Sequence, residues 1–282
     1  MRTKLISAPY TIWMTLFIIV PMGLVAFFAF TDKSGAFTLD NIARVGQYSN
    51  VFLRSIWLGA LATFISLLLG YPLAYIIAKA APNRQSFLIL LIMLPMWMNF
   101  LLRTYSWMAI LENNGLLNQL FQKIGLISLY NSIFGTDLTF FRMINTQGAV
   151  VLGMVYNYLP FMILPIYSVI VKMDNSLIEA ARDLGANSFN VFRRVILPLS
   201  LPGVLSGITM VFVPSVSTFA ISKMLGGGTE MLLGDLIEQQ YMGGAYNPQL
   251  GAAISLVMMV IVVVCMWVMN RFGEGEEQAV MM

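Results

Sequence analysis

Long apolar runs separated by polar segments dominate the chain. Six of these runs are close to the ~20 residues that a helix needs to cross the hydrocarbon core of a bilayer. They cover approximately residues 10–30, 55–78, 87–111, 147–171, 201–219 and 250–269. The pattern therefore predicts an all-α integral membrane protein with six transmembrane helices, in a single domain over residues 1–282.

Two of the longer polar segments carry local patterns of their own. In residues 112–146, apolar side chains recur at helical spacing, which predicts an interfacial helix at the membrane surface. These side chains are Leu116, Leu117, Leu120, Phe121 and Ile124. In residues 220–249, the glycines at 226–228 either let the backbone fold back into the protein or form a flexible turn.

Composition agrees with the membrane class and excludes several functions. The chain is 59% hydrophobic and 10% charged, whereas a soluble domain has roughly 25% charged residues. The net charge is only +3, and the sequence has no cluster of Lys and Arg dense enough to bind nucleic acid. There is no histidine, and the single cysteine, Cys265, lies in an apolar run. We therefore predict no metal site and no catalytic residues.

The distribution of basic residues predicts the orientation in the membrane. With the N-terminus inside, the inner segments hold nine Lys and Arg residues, including Arg2 and Lys4, and the outer segments hold six. Basic residues are enriched in cytoplasmic loops. We expect both termini, and the polar segment 172–200, to be cytoplasmic.

The segment 172–200 predicts a charged helix pair between the fourth and fifth runs. Ser176 and Glu179 fit a capping box at the start of the first helix. Gly185 follows the helical pattern, where a left-handed C-terminal residue belongs. A second short helix is expected from about Asn187. The first helix carries an apolar stripe at Leu177, Ala181 and Leu184. Such a pair is either a surface for a soluble partner or a solvated connector.

The stretch EAARDLG, with Ile-Leu-Pro at residues 196–198, resembles the EAA signature of permease subunits in bacterial ATP-driven importers. The matching positions are Glu179, Ala180, Ala181, Gly185, Ile196, Leu197 and Pro198. Residues 101–118, 158–168 and 232–241 resemble segments of spermidine/putrescine importer permeases, and the whole resemblance covers roughly residue 55 to the end. It implies the type I importer permease (MetI-like) architecture and the bacterial cytoplasmic (inner) membrane.

The resemblance also implies the partners. In this family the loop docks on a separate ATP-binding subunit, present in two copies. The docking residues would be Glu179, Ala180, Ala181, Gly185 and Pro198. A second homologous permease subunit and an extracytoplasmic solute-binding protein complete the importer. Because the chain has no glycine-rich phosphate loop ending in Lys-Ser or Lys-Thr, we expect ATP to be bound by the partner. This chain would then need no cofactor and would not be an enzyme.

A polyamine path would need carboxylates and aromatic faces, which bind ammonium groups. Asp235 and Glu238 lie at i and i+3 and are the first candidates, whereas Glu230 is expected to be solvated. The aromatic candidates are Trp97, Tyr105, Trp107, Tyr156 and Tyr158. The competing interpretations are a solvated acidic loop and an interfacial aromatic belt. Arg103, inside the third run, is expected to make a polar contact or to reach the membrane surface.

Three other functions compete with a polyamine importer. A permease of a related importer, for thiamine or iron, shares much of this layout. An ion-coupled secondary transporter or channel usually has acids inside its spans, and the six runs contain no Asp or Glu. A membrane enzyme is disfavoured because the runs hold no histidine and no cluster of nucleophiles or acids.

Overall fold

The computed structural model describes residues 9–244 and 246–280, with side chains through residue 268 and at residue 271. Arg2 and Lys4 lie outside this range. The helices are α1 Pro9–Ala29, α2 Asp40–Val45, α3 Ser49–Lys79, α4 Pro82–Met93, α5 Phe100–Leu111, α6 Leu116–Lys123, α7 Leu126–Phe134, α8 Gln147–Ile170, α9 Asn175–Asp183, α10 Ser188–Val191, α11 Leu197–Ser217, α12 Ala220–Leu225, α13 Leu233–Met242 and α14 Pro248–Val280. A π-helical turn, Phe192–Ile196, joins α10 to α11.

Within the described residues, five helices are long and apolar enough to cross a membrane. They lie at Pro9–Ala29, Asp40–Lys79, Gln147–Ile170, Ser188–Ser217 and Pro248–Val268. A bent pair, Pro82–Trp97 and Phe100–Lys123, raises the number to six if the pair is one span. The predicted all-helical membrane class is confirmed.

The third predicted run, 87–111, is not one straight helix. After α4 the chain forms a 3-10 turn, Leu94–Trp97, and Met98 is extended. The side chain of Asn99 then caps α5 by accepting hydrogen bonds from the amides of Leu101 and Leu102. Pro95 has no N–H for the helical ladder, which favours the break. The two parts meet at 88°.

The part of this run before the bend is nearly long enough to cross the bilayer by itself. It has 12 α-helical residues and 4 residues in the 3-10 turn. At about 1.5 and 2.0 Å per residue these give about 26 Å, against a hydrocarbon core of about 30 Å. Within that sixth span, α4 and its turn would therefore supply most of the length, and α5 leaves them at a steep angle.

The centre of the protein is the mutual packing of α3, α8 and α11. Met162 of α8 is fully buried between Gly70 of α3 and Gly207 of α11. A Cβ at Gly70 would lie 2.9 Å from Met162 Cγ, and a Cβ at Gly207 would lie 2.8 Å from Met162 Sδ. Small residues permit such close helix contacts in membranes, where apolar burial alone does not drive association.

The contacts of α3 define two ends of the bundle. Near the end of α3, the hydroxyl of Tyr71 hydrogen-bonds Ser200 at the start of α11. Near its beginning, Gly59 packs against Val216 at the end of α11. These helices are therefore antiparallel, with α9 and α10 at one end and α12 and α13 at the other. We call these the α9–α10 end and the α12–α13 end.

The segment 220–249 folds back into the protein, which is one of the two alternatives predicted for it. Ile221 and Leu225 of α12 are fully buried, and so are Leu233 and Leu236 of α13 to within 2%. The turn between the helices has left-handed glycines at 227 and 228, with φ of 59° and 74°. The predicted helix around Leu116–Ile124 is also present, as α6.

Candidate functional site

The α9–α10 pair is shaped by a left-handed glycine. Gly185 has φ of 81°, as predicted. Its amide donates to Arg182 O at 2.8 Å, and the Ala186 amide donates to Ala181 O at 3.0 Å. This is the double hydrogen bond of a Schellman motif. The second alanine and the glycine of the EAARDLG stretch thus end α9 and reverse the chain into α10.

The start of α9 differs from the predicted capping box. Asp174 is the N-cap residue, and its side chain accepts a hydrogen bond from the Ser176 amide at 2.9 Å. Ser176 is therefore inside the helix. Aspartate and serine are both good N-cap residues, and the sequence offers both within three positions, so the pattern alone did not choose between them. The start of α10 agrees with the prediction, because Asn187 caps it through the Asn190 amide.

The predicted stripe on α9 faces outward. Leu177 is 47% exposed and Leu184 is 89% exposed, while Ile178 is the buried residue of this helix. Among the docking candidates, Glu179, Ala180, Gly185 and Pro198 are exposed and Ala181 is half-buried. The pair therefore presents apolar and acidic groups together on a projecting surface.

Asp235 caps the helix on which it lies. Its side chain is on buried α13 and is 8% exposed. Oδ2 accepts a hydrogen bond from the Leu232 amide at 2.9 Å. Oδ1 has no hydrogen-bond partner among the described residues, and Ser222 lies near the carboxyl group. The adjacent Leu233 amide donates to Ser55 of α3 at 2.8 Å. One carboxylate oxygen thus remains for another donor.

Two other acids of this segment, Glu238 and Glu230, are held by cations of the same chain. Glu238 accepts both of its contacts from Lys223 Nζ, at 2.8 and 2.9 Å, and this hydrogen bonding raises the pKa of Lys223. Glu230 lies 3.2 Å from Arg54 and accepts a hydrogen bond from Gln147. The expectation that Glu230 is solvated is therefore wrong, because its side chain joins α3 to α8.

The five aromatic candidates do not form one cluster. Trp107 of α5 packs edge-on against Tyr156 of α8, with ring centroids 5.3 Å apart. Trp97 is 71% exposed at the bend before α5, and Tyr105 is also exposed. Tyr158 is half-buried near Arg103 and Thr218. Of the five aromatic candidates, the structure brings Trp107 and Tyr156 into ring contact.

Arg103 is buried rather than directed to the surface. It is 8% exposed, and its Nε and Nη1 atoms have no hydrogen-bond partner among the described residues. The alternative that it reaches the membrane surface is therefore wrong. Arg103 lies on α5, and the steep angle between α4 and α5 was not predicted. The sequence therefore could not indicate which residues surround Arg103.

Sequence reasoning missed the residues that connect these sites to the bundle. Ser55, Asn99 and Arg54 all hold segments near the α12–α13 end. Of the three, Asn99 had a readable signal, since it is a good N-cap residue four positions after a proline. Across the described ranges, no group of three or more His, Cys, Asp or Glu side chains is placed to hold a metal ion.

Comparison with known proteins identifies the family. Residues 2–275 match the family described as "Binding-protein-dependent transport system inner membrane component". The chain belongs to this family. It is thus a multi-pass protein of an inner membrane transport system, in agreement with the resemblance of its EAARDLG stretch.

Relatives of this inner membrane component are similar over most of their length. It is 36% identical over 270 residues to the spermidine/putrescine transport system permease protein PotB of Haemophilus influenzae, covering 93% of this chain and 91% of the relative. It is 35% identical to the PotB protein of Escherichia coli (strain K12), covering 88% and 90%.

Solved structures show the same fold at low identity. One comes from a bacterial ABC transporter involved in the import of the acidic polysaccharide alginate. It has a TM-score of 0.75 at 19% identity, covering 97% of this chain and 96% of that one. Another comes from the MetNI methionine ABC transporter, with a TM-score of 0.58 at 17% identity, covering 83% and 98%. The predicted type I importer permease architecture is confirmed.

The buried carboxyl of Asp235 predicts a pH dependence of stability. Burial raises its pKa above the ordinary 3.8, Glu238 adds to the rise, and the Leu232 amide, Ser222 and Lys223 oppose it. Between the ordinary and the raised pKa, the folded state binds more protons than the unfolded state, so the free energy of unfolding falls as pH rises through that window. Asp235→Asn removes this charge but keeps an oxygen for the Leu232 amide. Its stability relative to the wild type should therefore increase with pH.

The measurement is thermal unfolding of the purified chain in detergent, at several pH values from about 4 to about 8. Asp137→Asn, at an exposed position, is the control and should show no such trend. A constant difference between Asp235→Asn and the wild type at every pH would contradict the prediction.

Proposed function

We propose that this chain is the permease subunit of an ATP-driven importer for the polyamines spermidine and putrescine. The observation that carries the proposal is the 36% identity with a PotB protein over 93% of this chain and 91% of that relative. The fold does not select the solute, because the similar structures belong to transporters for alginate and methionine. The solute assignment therefore rests on the relatives of higher identity.

We infer that three kinds of partner complete the importer. These are two copies of an ATP-binding subunit, a second homologous permease and an extracytoplasmic solute-binding protein. The name of the family refers to a binding protein, and a similar alginate transporter is described in complex with a periplasmic protein. The exposed apolar surface of α9 and α10, with Leu184 and Phe189, supports docking of the ATP-binding subunit at Glu179, Ala180, Ala181, Gly185 and Pro198.

We propose that the α9–α10 end faces the cytoplasm, together with both termini. The excess of basic residues in the segments at this end supports the orientation. So do the directions of the terminal spans. Ala29, at the end of α1, and Leu250, near the start of α14, both pack in one cluster with Leu233 at the α12–α13 end. The N-terminal part of α1 and the C-terminal part of α14 therefore lead away from the α12–α13 end.

A solute path near the α12–α13 end follows from the same orientation. We propose Asp235 as its leading carboxylate, because one of its oxygens is free for a donor. Glu238 would take part only if Lys223 is displaced. The aromatic candidates are Trp97, Tyr105, Trp107, Tyr156 and Tyr158, of which the Trp107–Tyr156 pair offers two adjacent rings. A carboxylate away from bulk water attracts an ammonium group strongly, because the effective dielectric constant is low.

The mechanism would be a rigid-body switch. ATP-driven closure of the ATP-binding subunits moves α9 and α10, and α10 continues through the π turn into α11. Because α11 packs against α3 and α8, its tilt opens the bundle alternately to the two sides of the membrane. ATP stays on the partner, and this chain converts the movement into passage of the solute.

Uptake of labelled solute tests the proposed function. Cells with the gene should import spermidine and putrescine, and cells without it should lose that import while thiamine and iron uptake stays unchanged. Asp235→Asn should lower the initial rate of spermidine uptake at least about tenfold, since losing one member of a buried charge contact costs about 2–5 kcal/mol. Its membrane level is checked by blotting.

The control for this assay is Asp137→Asn, which removes an exposed acid. Glu230→Gln is unsuitable because Glu230 pairs with Arg54. Normal uptake by Asp235→Asn would remove Asp235 from the path without affecting the solute assignment. Loss of thiamine or iron uptake, with polyamine uptake intact, would refute the solute assignment.

The docking proposal predicts a local effect of strain at Gly185. A residue with a side chain costs about 1–2 kcal/mol in the left-handed region, so Gly185→Val should weaken association with the ATP-binding subunit by roughly 5–30-fold. Copurification of that subunit measures the effect. The matched control is Gly135→Val at the end of α7, where φ is 62° and no atom crowds the site. Equal losses in both variants would count against docking at α9–α10.

Reporter fusions test the orientation. A reporter inserted at Asn187, in the α9–α10 turn, should be active only as a cytoplasmic marker, because this end would face inward. One inserted at Gly228, in the α12–α13 turn, should report the extracytoplasmic side. The reverse pattern would overturn the proposed topology.

A further inference from the structure

The α9–α10 pair has a small apolar core that is separate from the core of the bundle. Ile178, Val191 and Ile196 form this core. Two side chains, Phe192 and Tyr75, pack both against it and against the core shared by α3, α8 and α11. Phe192 lies in the π turn and Tyr75 lies on α3. Their contact connects the projecting pair to a helix with which it shares no direct chain connection.

The geometry at this contact is well defined. The ring of Phe192 meets Tyr71 with centroids 5.7 Å apart at 89°, and Tyr75 with centroids 6.2 Å apart at 83°. Both are edge-on arrangements, which aromatic rings prefer. Tyr71 is held in turn by its hydroxyl, which hydrogen-bonds Ser200 of α11 at 2.8 Å. One ring is therefore fitted against two turns of α3.

The backbone under Phe192 is irregular for a reason visible in the sequence. The Leu197 amide donates to Phe192 O across a π turn, and the next residue, Pro198, has no amide hydrogen to donate. Single π turns are often found at functional sites in helices. Here the turn lies where α10 passes into α11, directly below the aromatic contact.

We infer that Phe192 is a positioning residue that transmits movement of α9 and α10 to α3. The inference rests on the proposed function, in which ATP hydrolysis drives that movement. The helix α11 receives the movement along the chain, because Ser188–Ser217 is one continuous helix. The helix α3 has no such connection, since it leads into α4. The Phe192 ring adds to the direct contacts of α3 with α11 at the end next to α9 and α10, so that α3 tilts with α11 when this end moves.

The test uses the complete importer in proteoliposomes, with its binding protein, ATP and labelled spermidine. The readout is spermidine imported per ATP hydrolysed. Phe192→Leu and Tyr75→Leu should lower this ratio at least about fivefold, because they remove the ring contacts. Their ATP hydrolysis should stay within about twofold of wild type, because α9 and α10 still dock. Tyr75→Phe keeps the ring and should restore the ratio.

Phe64→Leu is the matched control, an exposed phenylalanine on α3 that should leave the ratio unchanged. The inference is overturned if Phe192→Leu and Tyr75→Leu keep the wild-type ratio, or if Phe64→Leu and Tyr75→Phe lower it equally. If Phe192→Leu does not assemble, the Tyr75→Leu and Tyr75→Phe pair decides. Failure of the wild-type complex to import spermidine refutes the polyamine assignment instead, and the ratio is then measured with thiamine or iron.

Discussion

The close approach of α3, α8 and α11 around Met162 is the constraint on which the rest of the structure depends. Glycines on both neighbouring helices leave room for this side chain, so the three backbones approach closely enough for extensive contact. In a bilayer, where lipid tails are as apolar as leucine, such packing replaces the hydrophobic effect as the source of association. The hydrogen bond between Tyr71 and Ser200 and the contact of Gly59 with Val216 both follow from this spacing.

Much of the fold could be read from the sequence because bilayer thickness imposes a simple length rule. The apolar runs predicted the all-helical membrane class, and Gly185 predicted the turn between α9 and α10. The bend after Trp97 was not predicted. The residues on both sides of it are similarly apolar, and hydropathy does not indicate the angle between two consecutive helices. Pro95 and Asn99 together favour a helix break at this point. Whether the chain bends there also depends on the packing of α5 against the neighbouring helices.

The acidic residues show where sequence reasoning about sites ends. Asp235 and Glu238 share one face of a helix, yet one caps α13 and the other holds Lys223. Glu230 contacts Arg54, which is 176 positions away in the chain. Local spacing reveals which charges are neighbours along a helix, but a long-range partner is fixed by the packing of other helices. Chemistry at such positions therefore has to be inferred from the assembled structure.

The α12–α13 hairpin also sets an order of events during insertion and folding. Its helices have six and ten residues, well short of the ~20 needed to span a bilayer, so neither can be integrated as an independent span. Their buried leucines need α8 and α11 in place, and the Leu233 amide needs Ser55 of α3. The hairpin therefore folds late. It packs into the bundle only after the spans on either side of it are in the membrane and α3, α8 and α11 are in contact.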